Sequence, residues 1–521
     1  MRGSVRLLAK RYNSSSSVCP AAVEATTAQV KVDSEPRPYA EVPGPKPIPV
    51  LGNTWRLLPL IGQYQISDLA KVSKILYNEY GKIVKLSGLV GRPDLLFVYD
   101  AAEIEMMYRT ETDAPHRPSM PCLVKYKSEV RKDFFGRLPG VVGVHGEPWR
   151  EFRTKVQRPI LRPAAVVQYI QPIEEVTNQF LDRMLQIRDD RDELPNDFDN
   201  DIHKWALECI GRIALDVRLG CLDPNLADDS EPMKIINGAK FALRNIALLE
   251  LKFPFWRYVP TPLWGRYVKN MDYFIEICMK HIDTAQDRLQ KKLDAGTPES
   301  EFSVVERILL SDPDPKLAYV LALDLILVGI DTISMAVCSV LYQLATRTEE
   351  QEKMYKELKK VLPTKDTPLT NNLLENMPYT RSFIKEVLRM YSTVIGNGRT
   401  LLEDKVICGY NIPKGVQLVF PTIVTGNMPE YVRDPDHFYP ERWLKEHKAD
   451  YYRHPFASLP YGFGVRMCLG RRFADLEMQI LLAKLVRSYK LEYHHEPLEY
   501  KVTFMYAPEG PLKFKMTPRD D

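Results

Sequence analysis

A single, largely helical body is what this sequence predicts, and three observations carry that prediction. The 521 residues include 40 prolines and 26 glycines, which suits many helices joined by turns. The apolar run Leu317 to Leu344 contains no proline and one interior glycine, the pattern of a helix buried along its length. The length would allow three domains, yet after about residue 42 there is no Gly/Ser linker, no low-complexity break and no internal repeat.

The N-terminus reads separately. Residues 1–23 carry Arg2, Arg6, Lys10 and Arg11, no acidic residue and an unbroken serine run from Ser14 to Ser17. They lack the apolar stretch of about 18 residues that a membrane span needs. Basic, Ser-rich and acid-free is the description of a mitochondrial transit peptide, the other reading being a disordered basic tail. Residues 1–41 are therefore expected to be a transit peptide with a flexible leader, and 42–521 a single domain. Val42 to Gly52 follows with prolines at almost every second position, a stiff extended segment.

Further along, Trp149 and Arg153 stand four residues apart, hence on one helix face. The stretch Leu249 to Tyr267 is dense in aromatics (Phe253, Phe255, Trp256, Tyr258, Trp264) and suits either packing under a loop or contact with a membrane surface. Within the long apolar run lies Val328-Gly329-Ile330-Asp331-Thr332. A mid-helix glycine costs roughly 1 kcal/mol relative to alanine, so it asks for a reason. Glu386 and Arg389 share a face of the helical pattern Tyr379 to Tyr391, and Pro440-Glu441-Arg442-Trp443 follows in a Pro- and aromatic-rich loop.

The most specific stretch is Tyr461-Gly462-Phe463-Gly464-Val465-Arg466-Met467-Cys468-Leu469-Gly470, followed by a helix-like run from Arg471. A lone cysteine is most often a buried structural thiol. Here glycines allow a tight turn close to a flat group. Backbone N–H groups at a helix start stabilise a thiolate. Arg466 offers a fork matched to a carboxylate. The combination presents one thiolate to a haem iron, with Arg466 paired to a haem propionate.

The stretch resembles the cytochrome P450 signature Phe-Gly-x-Gly-x-Arg-x-Cys-x-Gly, with Tyr461 in place of the first Phe. The resemblance covers about residues 42–518. It implies a mainly α fold with a small β-rich part and a long central helix over a buried haem b, whose iron takes Cys468 as axial ligand. Arg466, Trp149, Arg153, Arg399, Phe463 and Gly470 would hold the haem. Glu386, Arg389 and Arg442 would form a buried ion network behind the cysteine loop. Gly329 would leave space for dioxygen, and Asp331 and Thr332 would deliver protons there. Phe134, Phe135, Val394, Ile395 and Met505 to Ala507 would line an apolar pocket.

The same resemblance implies a monooxygenase that inserts one oxygen atom from O2 into a lipophilic substrate, either steroid-like or xenobiotic. Arg381, Lys385, Arg471 and Arg472 match basic positions by which mitochondrial members dock an acidic partner, and the chain resembles the insect branch of that clan most, through Ile395-Gly396-Asn397-Gly398-Arg399 and Leu469-Gly470-Arg471-Arg472-Phe473. That partner would be an adrenodoxin-like [2Fe–2S] ferredoxin, served by its NADPH-dependent reductase. The implied location is peripheral, on the matrix side of the inner mitochondrial membrane. Two other readings stay open: a haem-thiolate isomerase or peroxide-using enzyme without a redox partner, and a non-catalytic haem-dependent binding protein. The net charge of +3, from 71 basic and 68 acidic residues, is no signature of nucleic-acid binding. Eight scattered cysteines without a CxxC pair point to a reducing compartment.

Overall fold

In the computed structural model, residues 35–520 are described, apart from 59, 119, 252–254, 313 and 503–504. The leader up to residue 34 and Phe253 therefore lie outside the described residues. Helices α1 (Leu69–Tyr80) and α2 (Ala101–Arg109) bracket strands β1 (Ile83–Leu86) and β2 (Leu95–Val98). There follow α3 (Gly146–Leu161), α4 (Ile170–Ile187), α5 (Asp199–Ile210), α6 (Glu231–Leu251), α7 (Pro262–Asp294) and α8 (Val304–Ser311). The longest apolar run forms α9 (Lys316–Ala345), then come α10 (Thr348–Val361) and α11 (Pro378–Met390). Strands β3 (Asn397–Thr400), β4 (Lys405–Ile407), β5 (Tyr410–Ile412) and β6 (Gln417–Phe420) precede α12 (Arg471–Ser488). Strands β7 (Tyr489–Glu492), β8 (Glu499–Val502), β9 (Tyr506–Glu509) and β10 (Lys515–Pro518) end the chain, and single-turn helices fill several connections.

The helix ends follow local chemistry. Asp100 caps α2 by accepting from the amides of Ala102 and Glu103. Thr261 caps α7, with Pro262 at its first position. Ser303 and Glu306 form a reciprocal capping box on α8.

One four-stranded sheet, in the order β1-β2-β6-β3, stands beside the helices. Its β2/β6 pair is parallel and its outer pairs are antiparallel. The other strands make two-stranded ladders. Residues 36–41, assigned to the leader on sequence, are joined to the body. The Arg37 amide donates to Gly409, its guanidinium lies 3.9 Å from the Tyr410 ring, and the Tyr39 hydroxyl reaches Asp94.

Helix α9 is the axis of the molecule. It packs against α5, α6, α7, α8, α10 and α11, and 23 of its 30 residues are buried, so it has no polar face to offer water. By length and hydropathy it would cross a membrane, but here it is a core helix walled in by protein. Asp324 on α9 accepts from Lys127 Nζ at 2.7 Å and from the amides of Val141 and Val142 at 2.6 and 3.1 Å. This buried clamp ties the segment before α3 onto the central helix. Gly140 permits it, since a Cβ there would meet Asp324 Oδ2 at 2.2 Å.

Candidate active site

The loop from Tyr461 to Gly470 turns on Gly462 and Gly464, at φ +71° and +74°, a conformation that L side chains rarely adopt. Gly464–Arg466 forms one 3-10 turn. The Cys468 amide donates to the Tyr461 carbonyl at 2.9 Å, which closes the loop, and α12 starts at Arg471 as expected. Among the seven described cysteines, five are buried, Cys408 is half-buried and only Cys468 is exposed. Yet protein surrounds that thiol closely enough for burial to push it up. The thiol thus lines a space inside the body rather than the outer surface. The Gly470 N–H and the charges of Arg153 and Arg117 act in the opposite direction, toward the thiolate that metal binding requires.

Cations converge on the same space. The Arg466 guanidinium lies 4.0 Å from the Trp149 ring and donates to the Val144 carbonyl. Arg153, one turn beyond Trp149 on α3, donates to the Met467 carbonyl at 3.0 Å and so holds the cysteine loop. Arg399 on β3 is gripped by the Glu111 carboxylate and lies 4.9 Å from the Tyr108 ring. Phe463 packs between Tyr108 and Phe456. Burial, with Arg117, Arg399 and Arg153 nearby, brings Arg466 down to about 9. Burial and Arg466 take His145 down to about 4.

Such crowding of like charge calls for anions. Arg153 Nε, Arg466 Nε and His145 Nδ1 are buried without a hydrogen-bond partner among the described residues. A flat group carrying two carboxylates beside an iron atom suits this donor set, so the residues present fit haem. Arg399 adds an unforeseen element, because an internal carboxylate already holds it.

Behind the loop, Glu386, Arg389 and Arg442 have no exposed surface. Arg389 meets Glu386 with two bonds of 2.9 Å and Arg442 meets it at 2.8 Å. The Tyr439 amide and the Trp443 indole complete the carboxylate's shell at 3.0 and 2.9 Å. The remaining guanidinium donors of Arg442 end on carbonyls of Arg433, Asp434 and His437. Burial alone would raise the Glu386 carboxyl, but the hydrogen bonds and charges of Arg389 and Arg442 hold it below the usual carboxylate range.

On α9, the Thr332 hydroxyl donates to the Val328 carbonyl at 2.8 Å and lies 3.3 Å from that of Gly329. At rest it is satisfied by its own helix. The sequence reading gave Gly329 the task of leaving room for dioxygen. The structure supplies a packing reason, since a Cβ there would meet Ile210 Cδ1 of α5 at 2.7 Å. Asp331 is buried, with Oδ1 3.4 Å from Nε2 of the fully buried His203.

On the outer side of the cysteine loop, Arg381, Lys385 and Arg471 line one cleft together with Ile384, Leu388, Trp443 and Tyr461. Arg472 is exposed beside it without lining it. Tyr461, where the signature has Phe, donates its hydroxyl to Asp475 at 2.7 Å.

The cytochrome P450 family model matches residues 42–516. The chain is 66% identical over 482 residues to "Probable cytochrome P450 301a1, mitochondrial" of Drosophila melanogaster, covering 92% of this chain and 87% of that one. It is 33% identical to "Probable cytochrome P450 12a5, mitochondrial" of the same fly, covering 94% of each. In fold it superposes on the crystal structure of the cytochrome P450DA heme domain with a TM-score of 0.73, at 18% identity, over 94% of this chain and 99% of that one. The chain belongs to the cytochrome P450 family. It is a haem-thiolate monooxygenase, and its cofactor is haem b with a cysteine thiolate on iron.

Sequence reasoning missed Arg117, His145, Glu111 and His203. The first three sit on connecting segments with no helical period to flag them. A histidine among apolar residues on α5 gives no sign of facing an acid some 130 positions away.

Proposed function

We propose that this enzyme works in mitochondria, inserting one oxygen atom from O2 into a lipophilic, steroid-like or xenobiotic substrate while the other atom leaves as water. Two electrons come singly from an adrenodoxin-like [2Fe–2S] ferredoxin reduced by its NADPH-dependent reductase. The observation that carries this reading is the cleft beside the Cys468 loop, which gathers Arg381, Lys385 and Arg471 on the outer side of the thiolate. Basic residues there would steer an acidic partner and raise its on-rate. The mitochondrial names of the fly relatives and the basic, serine-rich start of the chain support the compartment. Residues 1–41 serve as the transit peptide and flexible leader, and 42–521 act as one catalytic domain.

Haem supplies the oxygen chemistry when bound. The chain's own parts are orientation, dryness and protons. With haem bound, Cys468 would supply the thiolate to iron, Trp149, Arg153, Arg399 and Arg466 would hold the haem carboxylates, and Phe463 and Gly470 would pack beside it. The Glu386–Arg389–Arg442 network keeps the cysteine loop in register. Asp331 and Thr332 move protons toward the oxygen-binding space, beside Gly329.

The lipophilic substrate is what the family implies; of the residues expected to line its pocket, Ile395 lines an apolar cavity with Leu57, Leu69, Val72, Leu89 and Phe97, to which neither Cys468 nor Thr332 contributes. Peripheral contact with the matrix side of the inner membrane is supported by Phe255, Tyr258 and Val259. They point outward while Trp256, Trp264 and Tyr267 stack inward.

The test is a reduced, carbon monoxide difference spectrum of the mature protein with two electron sources. A thiolate–haem band formed with ferredoxin and its reductase, and not with the microsomal flavoprotein reductase, supports the whole reading. The reverse result keeps the enzyme class and removes the compartment and the partner. No such band after chemical reduction removes Cys468 as the ligand.

A further inference from the structure

His203 and Asp331 face each other through one ring nitrogen and one carboxylate oxygen. His203 Nε2 lies 3.4 Å from Asp331 Oδ1, and neither atom has a hydrogen-bond partner among the described residues. The other ring nitrogen decides what this means. Nδ1 lies 2.6 Å from the Asp199 carbonyl oxygen, which can only accept, so Nδ1 carries hydrogen. In a neutral ring, Nε2 is then a bare lone pair facing a carboxylate that is also an acceptor. Inside a protein that arrangement is repulsive. One added proton relieves it, either on the ring, which then donates to the carboxylate, or on the carboxyl, which then donates to the ring.

We propose that His203 and Asp331 share one mobile proton, and that His203 is the positioning residue that reloads Asp331 each time Asp331 gives a proton toward Thr332. In the reloading step the Nε2–H bond breaks and an Oδ1–H bond forms on Asp331. No electrons change hands, and the ring is left neutral with hydrogen on Nδ1. The ring regains its proton from solvent. An imidazole suits the task because its ordinary pKa lies near neutrality.

The surroundings lead outward. Asp199, at the start of α5, keeps about a third of its side chain exposed and lies 3.6 Å from Lys240 Nζ of α6. Lys240 also donates to Asn200 Oδ1 at 2.6 Å. The charged and titratable groups around the pair are Asp199 on α5, Lys240 and Arg244 on α6, and Cys338 on α9. Burial pulls the Lys240 ammonium down, which makes it a readier source of protons.

This inference rests on the monooxygenase reading, and its first test needs no turnover. The holoprotein is prepared with ring-15N histidine, and the His203 resonances, among nine histidines, are assigned by their loss in His203→Gln or His203→Asn. The His203 Nε2 resonance should show a proton shared with an acid in the unaltered protein, as a directly bonded proton or a strongly shifted acceptor nitrogen, and should lose that signature in Asp331→Asn. A Nε2 resonance that Asp331→Asn leaves unchanged overturns the proposal whatever the enzyme's electron source. In turnover, His203→Gln should keep the thiolate–carbon monoxide spectrum and the substrate affinity. Product formed per NADPH should drop by about tenfold or more, with peroxide making up the difference, and Asp331→Asn should add little to it. Unchanged coupling in His203→Gln overturns the relay.

Discussion

Glu386 and Arg389, one helical turn apart on α11, meet edge to edge through two bonds of 2.9 Å, and neither has any exposed surface. Arg442 arrives at the same carboxylate from a loop 53 residues past Arg389 and binds Oε1 at 2.8 Å. The pair and its third member staple the segment that leads into the cysteine loop onto the helical core.

Removing one member should strand a buried charge. Arg442→Met is expected to lower folding stability by about 3–5 kcal/mol and to cut haem retention with it. Denaturant titration followed by Soret absorbance checks this. Retention equal to that of the unaltered protein would refute the structural role.

Acid should loosen the fold in two stages. His145 is held near 4, against an ordinary value of 6.5, so between these values the unfolded chain takes a proton that the folded one refuses. Stability therefore falls as pH drops below 6.5. Glu386 is held below its ordinary 4.5, so its contribution is present above that value and is lost as pH falls through the lower, folded one. Melting temperatures of the haem-free protein across this range should flatten in the upper part for His145→Gln and in the lower part for Glu386→Gln.

The cysteine loop should not tolerate a side chain at its first glycine. Gly462→Ala forces a Cβ onto a φ of +71° and should cost roughly 1–2 kcal/mol locally. The expected sign is a larger fraction of carbon monoxide complex lacking the thiolate band. Gly265→Ala, in α7 with open space around it, is the contrast and should be neutral or slightly stabilising.

Electron delivery should depend on the basic cleft. Lys385→Glu and Arg471→Glu are each expected to raise the KM for ferredoxin about tenfold or more, with an effect that shrinks at high salt. Arg472→Glu should do less, since Arg472 stands beside the cleft rather than in it. Steady-state reduction of the haem at several ionic strengths measures this, and equal KM values for all three variants would place the partner elsewhere.

Much of the site was legible because its residues lie close together in sequence. Cys468, its glycines and Arg466 occupy one turn, and Glu386/Arg389 and Trp149/Arg153 are helical neighbours whose spacing alone puts them on one face. The long apolar run announced the central helix, because a helix covered on all sides needs no polar stripe. Two local readings gained a contact that only packing shows: a Cβ at Gly329 would meet Ile210 Cδ1 of α5 at 2.7 Å, and the Tyr461 hydroxyl donates to Asp475.

By itself the sequence determined the family, the glycine-rich cysteine loop, the ion network's members and the helical character of the body. All of these depend on contacts within a few turns or on a short motif with strict geometry. Only the tertiary structure decided which distant charges meet. It set Glu111 on Arg399, gathered Arg117 and His145 with Arg466, anchored Lys127 on Asp324 and faced His203 with Asp331. Such pairings arise where helices and loops far apart in the chain are pressed together by burial of their apolar faces. No local pattern records which polar side chains that packing will trap.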